Sequence, residues 1–196
     1  MIYIGIDPDL HHTGICAING NRFNFAVAKV LAKFNGEEAN ARMGRSIWDM
    51  LHTTLKAHRP EEITCIIESQ MVYPGSKVPP NDIVMLAQAA GVAAGVLNTY
   101  TDNISLIKPT DWKGTQKKEA CTQMILDHFK IPAGSLGKHE SHIVDALGLA
   151  CWGILRDQLP RAPDRDPDSR ILGSALTKQR LARLPLLTIQ GIPTRA

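Results

Sequence analysis

The chain has 196 residues, enough to bury one sizeable core and cramped for a second full domain. Its net charge of +3 is unevenly spread: residues 1–155 carry 14 Lys/Arg against 15 Asp/Glu, whereas residues 156–196 carry 8 against 4, so the basic excess lies in the tail. Cys16, Cys65, Cys121 and Cys151 stand singly in apolar runs without a CxxC spacing, which argues against a disulfide or zinc framework and for buried thiols in a reducing compartment.

The opening stretch, Ile2 to Asp7, is an apolar run closed by one carboxylate and followed by Pro8 and a polar turn. It suits a strand buried on both faces, with Asp7 either desolvated at its end and in need of a partner or simply opening the Asp-Pro turn. A second run, Ile15 to Ile18, and an alternating segment from Arg22 to Val30 joined through Asn19-Gly20-Asn21 complete an antiparallel meander. From Glu37 to His58, Met43, Ile47, Met50, Leu51 and Leu55 share one helical face until Pro60 ends the pattern. Ile63 to Glu68 is another apolar strand closed by a carboxylate.

A loop of turn-formers from Tyr73 to Pro80 then leads to a helix capped by Asn81 or Asp82. Ala87, Gly91 and Gly95, spaced four apart, give that helix a small face for close packing against this chain's sheet or a second subunit. Asn103 to Ile107 reads as a fifth strand. A basic turn from Lys108 to Lys118 precedes a helix that Pro132 stops, and a last core helix spans about His139 to Arg156. The expected division is one α/β domain over residues 1–158 and a basic Pro/Arg-rich tail over 159–196, flexible apart from a short basic helix within 171–187. Neither the opening run, interrupted by Asp7, nor the run from Val84 to Leu97, broken by Gln88, is expected to cross a membrane, and the expected location is cytoplasmic.

Three strands, helix, strand, helix, strand, helix, helix is the order of a five-stranded mixed sheet, three antiparallel strands followed by parallel ones, with helices on both faces. In such a sheet the first and fourth strands lie side by side, bringing Asp7 and Glu68 together. His142 and Asp145, three apart on the last helix, can cross the same end. Clustered carboxylates repel unless they share a proton or a cation. Three of them with an imidazole suit Mg²⁺ or Mn²⁺, and an ion pair roughly 3.5–4 Å apart can activate water and stabilise the leaving oxygen of a phosphodiester. The histidine could ligate metal, or position or deprotonate that water.

Ile4-Gly5-Ile6-Asp7-Pro8 with Thr13-Gly14, Ile66-Ile67-Glu68, and His142-x-x-Asp145-Ala146-Leu147 together resemble, in order over residues 2–155, the active-site motifs of RuvC-type Holliday junction resolvases of the ribonuclease H-like superfamily. The Gly-Ile-Asp opening alone also resembles the phosphate-binding strand of the sugar-kinase and heat-shock ATPase fold, whose two lobes this chain is too short to build. The resemblance implies a homodimeric endonuclease that makes paired nicks in four-way or other branched DNA, in a bacterial or phage-infected cell. It implies that Asp7, Glu68, His142 and Asp145 hold two Mg²⁺ or Mn²⁺ ions and carry catalysis. It also places Lys113, Lys117 and Lys118 on DNA phosphate, with Lys118 the best match. Tyr73 and Lys77, in Tyr73-Pro74-Gly75-Ser76-Lys77, complete the expected DNA contacts and look like bacteriophage-type members. The family usually has glycine where Asp9 stands, and an aromatic residue where Met71 stands. The alternatives are a nuclease of the same fold acting on flaps or RNA, and a junction-binding protein that does not cut.

Overall fold

The structure, a computed structural model, describes residues 1–69, 79–158 and 175–191. Strand β1 (Ile2–Asp7) is its axis. Ile2, Ile4 and Ile6 face one hydrophobic cluster, while Tyr3 packs on the other, so one six-residue strand serves two layers. It pairs antiparallel with β2 (His12–Asn19), which pairs antiparallel with β3 (Arg22–Lys29). On its other side β1 pairs parallel with β4 (Ile63–Glu68), and β4 pairs parallel with β5 (Ile104–Ile107). These are the five expected strands in a mixed sheet.

A sixth strand, β6 (Thr188–Gly191), adds parallel to the free edge of β3, giving the order β5-β4-β1-β2-β3-β6. It comes from the stretch expected to be a flexible tail. The correction has a plain cause: Leu176, Leu181, Leu184 and Leu187 are buried in the same cluster as Phe23 and Phe129, so residues 175–187 have apolar surface to bury despite their basic charge. The short helix expected there is a single turn, α6 (Lys178–Leu181), capped by the Thr177 hydroxyl accepting from Arg180 N at 3.3 Å.

One face of the sheet carries α1 (Gly36–Leu55) and α2 (Pro80–Leu97), and the other carries α4 (Lys118–Phe129) and α5 (Glu140–Asp157). The start of α2 differs from expectation: Pro79 stands at the cap and Pro80 at the first helical position, where a missing N–H costs nothing. Its small face also differs. Ala90, Ala93 and Leu97 are buried, whereas Ala87, Gly91 and Gly95 are exposed, and the close approach to α1 is made by Gly44 against Val92. By length and composition α2 could span a bilayer, with 28% of it buried in the fold.

α5 is the helix that shapes the site, and it lies unusually close to the sheet. A Cβ on Gly5 would sit 1.9 Å from the Ala146 carbonyl oxygen, and one on Gly14 2.1 Å from that of His142. The two glycines therefore let α5 settle against β1 and β2 at the level of Asp7. The basic turn after β5 contains a further element, the single-turn helix α3 (Pro109–Lys113), opened by Pro109 and by Asp111 accepting from Lys108 N at 3.0 Å.

Candidate active site

Asp7 ends β1 and Glu68 ends the adjacent parallel strand β4, so their carboxylates emerge at one edge of the sheet. α5 crosses that edge and adds His142 and Asp145. All three acids are buried, at 8%, 5% and 1% exposure for Asp7, Glu68 and Asp145. Such burial is costly unless each charge is met.

Four groups meet them. The His142 ring nitrogen Nδ1 lies 2.8 Å from Asp7 Oδ2. The Trp112 indole N–H donates to Glu68 Oε2 at 2.8 Å. The Lys113 ammonium lies between the other two acids, 3.2 Å from Glu68 Oε2 and 3.1 Å from Asp145 Oδ2, and Lys118 reaches the same Asp145 oxygen at 3.3 Å from the first turn of α4. Asp145 Oδ1 is buried with no hydrogen-bond partner.

Burial raises the Asp7 carboxyl above its usual range; the hydrogen bond from His142 opposes this, and the Asp145 charge adds to it. Glu68 is raised by burial and by the neighbouring Asp7 charge, with Lys113 and the Trp112 N–H pulling the other way. His142 is raised, chiefly by its hydrogen bond to Asp7 against the opposing effect of burial. Burial works to lower the Lys113 ammonium, but Asp145 and Glu68 outweigh it and its pKa rises. Asp7, Glu68, His142 and Lys113 thus hold one another's protons in place.

Of the residues read from sequence, Asp7, Glu68, His142, Asp145, Lys113 and Lys118 come to one place. Lys113, expected on DNA phosphate, is instead turned into the carboxylates; Lys117 precedes α4 and is exposed. Tyr73 and Lys77 lie outside the described residues, as does Met71. Asp9 closes the turn after Asp7: its Oδ1 accepts from the backbone N–H of His11 at 2.8 Å and of His12 at 3.0 Å. Sequence reading missed Trp112. An indole five residues beyond a strand that neighbours the Glu68 strand was the available signal, but a buried tryptophan is also ordinary core. The stacked rings of His12 and His139, 4.2 Å apart beside the start of α5, were missed as well.

Among the described residues, no three His, Cys, Asp or Glu side chains converge as they stand into a set able to hold one ion. The donor chemistry nevertheless fits a hard divalent cation. Three buried carboxylates converge and Asp145 Oδ1 has no partner, so the site has a carboxylate oxygen to spare for such an ion. Lys113 takes the position between Glu68 and Asp145 for which such a cation would compete.

The fold defines a class. It is the ribonuclease H-like fold of RuvC, and the chain is similar to Thermus thermophilus RuvC in complex with a Holliday junction substrate, with TM-score 0.56 and 18% identity over 76% of this chain and 90% of that one. A second Thermus thermophilus RuvC structure aligns with TM-score 0.53 and 19% identity, over 76% of this chain and 91% of that one. No protein-family model and no curated protein matches the sequence.

Proposed function

We propose that this protein is a metal-dependent endonuclease that hydrolyses phosphodiester bonds in four-way or other branched DNA. The observation that carries the reading is the convergence of Asp7, Glu68 and Asp145, from two parallel strands and the helix crossing them, with lysines against them, on a fold shared with a resolvase solved in complex with a Holliday junction.

Asp7, Glu68 and Asp145 would hold Mg²⁺ or Mn²⁺, with His142 beside Asp7. When bound, the metal supplies a nucleophilic water and neutralises charge developing on the phosphate. The chain's own residues do the rest. His142 engages Asp7 through Nδ1, which fixes the ring and leaves Nε2 as the nitrogen able to exchange a proton with water. Water adds to phosphorus, one P–O bond breaks, and the departing oxygen takes a proton, leaving an alcohol and a phosphate monoester. Lys118, half exposed at the N-terminal turn of α4, supplies positive charge to a backbone phosphate, and exposed Lys117 extends that charge. Lys113 shares its single positive charge between Glu68 and Asp145, the position for which a bound metal would compete. Two nicks in one junction call for two such sites, hence a homodimer.

The test is a substrate panel. A labelled four-way junction, a flap, a plain duplex and an RNA–DNA hybrid are incubated with protein and Mg²⁺ or Mn²⁺. Paired, symmetric nicks in the junction are expected. Preferential cutting of flap or hybrid would keep the chemistry and replace the substrate, and binding without cutting of any of them would leave a junction-binding protein.

A further inference from the structure

The turn that delivers Lys113 is poorly able to hold itself. α3 is one turn long, too short to be stable on its own, and it is followed at once by Gly114 at φ +63° and a few residues of loop before α4. From inside, the turn is fixed by the Trp112 ring, fully buried and hydrogen-bonded to Glu68. From outside it is fixed by the C-terminal segment.

Leu176 makes the contact with both of its backbone groups. Its N–H donates to the Trp112 carbonyl at 2.6 Å, and its carbonyl accepts from Gln116 Nε2 at 2.7 Å. These two bonds bracket Lys113, Gly114 and Thr115. The approach is close: a Cβ on Gly114 would meet the Ala175 Cβ at 2.9 Å. Leu176 is itself fully buried, and the segment beyond it is anchored by Leu181, Leu184 and Leu187 in the core and by β6 on the sheet edge. Arg180 donates back to the Ala175 carbonyl at 3.4 Å, bracing the residue that touches Gly114.

We propose that residues 175–187 form a strap that positions Lys113, with Gln116 and Leu176 as the positioning residues. Neither touches the carboxylates. They act through the turn, by holding its two ends at the spacing that places the ammonium between Glu68 and Asp145. The relevance of the strap to cutting rests on the nuclease reading; its effect on Lys113 does not.

The test reads the two separately. Full-length protein without metal is treated with an amine-acylating reagent, and the labelling rate of each lysine is followed by mass spectrometry, with exposed Lys130 and Lys138 as internal standards. In the unaltered protein Lys113 should react far more slowly than either standard. Gln116→Ala should speed labelling of Lys113 by about tenfold, the equilibrium weight of one net hydrogen bond, and leave the standards unchanged. Leu176→Pro, which removes the N–H given to Trp112, should do so further. If Leu176→Pro does not fold, Gln116→Ala, at a partly exposed position, carries the test. On a four-way junction, Gln116→Ala should lower the Mg²⁺ concentration needed for half-maximal nicking, because a loosened Lys113 competes less with the cation for Glu68 and Asp145, with the dissociation constant for DNA unchanged. Unaltered Lys113 labelling in folded Gln116→Ala overturns the proposal. Failure of the unaltered protein to cut any DNA overturns the nuclease reading and leaves the labelling result to decide the strap.

Discussion

Asp7 and His142 show how the site manages charge at the scale of single residues. The carboxyl is buried and would resist ionising, yet the imidazole at 2.8 Å favours a shared proton, and both pKa values lie above their usual positions. Because the folded-state pKa of His142 is raised, the stability it contributes is fully present below its unfolded value of 6.5 and is lost as the pH rises through the folded value. The neighbouring His12 and His139 are lowered, chiefly by burial, and act in the opposite sense, so the total pH profile mixes the two. The difference between unaltered protein and His142→Ala separates them. In thermal melts with EDTA, that difference should be largest just below pH 6.5, at about 2 kcal/mol, and should narrow as the pH rises through the raised folded value. A difference that grows steadily up to pH 9 would mean that the pair does not share a proton in this way.

At the scale of elements, the position of α5 against the meander decides whether four side chains make a site. β1, β4 and α5 were legible because each carries its signal locally: an apolar run closed by an acid, or a helical face with His142 and Asp145 three apart. The closeness of α5 was written only in Gly5 and Gly14, which in the sequence read as part of motifs and not as spacers. Gly14→Ala would push a methyl into the His142 carbonyl, so the first turn of α5 must move. The variant should lose roughly 3 kcal/mol or more, read as a fall in denaturation midpoint, because the group it meets is backbone and cannot step aside. Full stability in Gly14→Ala would show that α5 is not seated by this contact. The resemblance implies a DNA-phosphate contact for Lys113, whereas the structure turns its ammonium toward Glu68 and Asp145. Its actual direction depends on α3, a single turn whose helicity comes from tertiary contact and is invisible to periodicity.

At the scale of the whole molecule, the basic C-terminal region is the part that composition misrepresented. Prolines, arginines and aspartates dominate residues 160–170, but Leu176, Leu181 and Leu184, which read in sequence only as the face of a short basic helix, bury themselves with Leu187 in the core beside α4 and α5 and lead into an added strand. The basic charge that matters to the carboxylate cluster comes instead from the turn before α4 and its first residue, as Lys113 and Lys118. Lys118, half exposed, is the one whose charge is offered outward. Lys118→Ala should weaken junction binding and reduce the slope of log K against log salt by about 0.9, the release of one counterion's worth of charge. An unchanged slope would take Lys118 off the nucleic acid.

Whether the buried carboxylates form a metal-using nuclease site or a structural charge cluster is tested most directly by comparing unaltered protein with Asp7→Asn and Asp145→Asn on a labelled four-way junction. The assay is run in Mg²⁺ and in EDTA, with binding and cutting measured in the same samples. The expected result is metal-dependent paired nicking by the unaltered protein. In both variants cutting should fall by roughly three orders of magnitude or more, the scale of losing a principal electrostatic stabiliser, while the junction stays bound. Undiminished cutting by folded Asp7→Asn and Asp145→Asn, or equal cutting in EDTA, would contradict the nuclease reading.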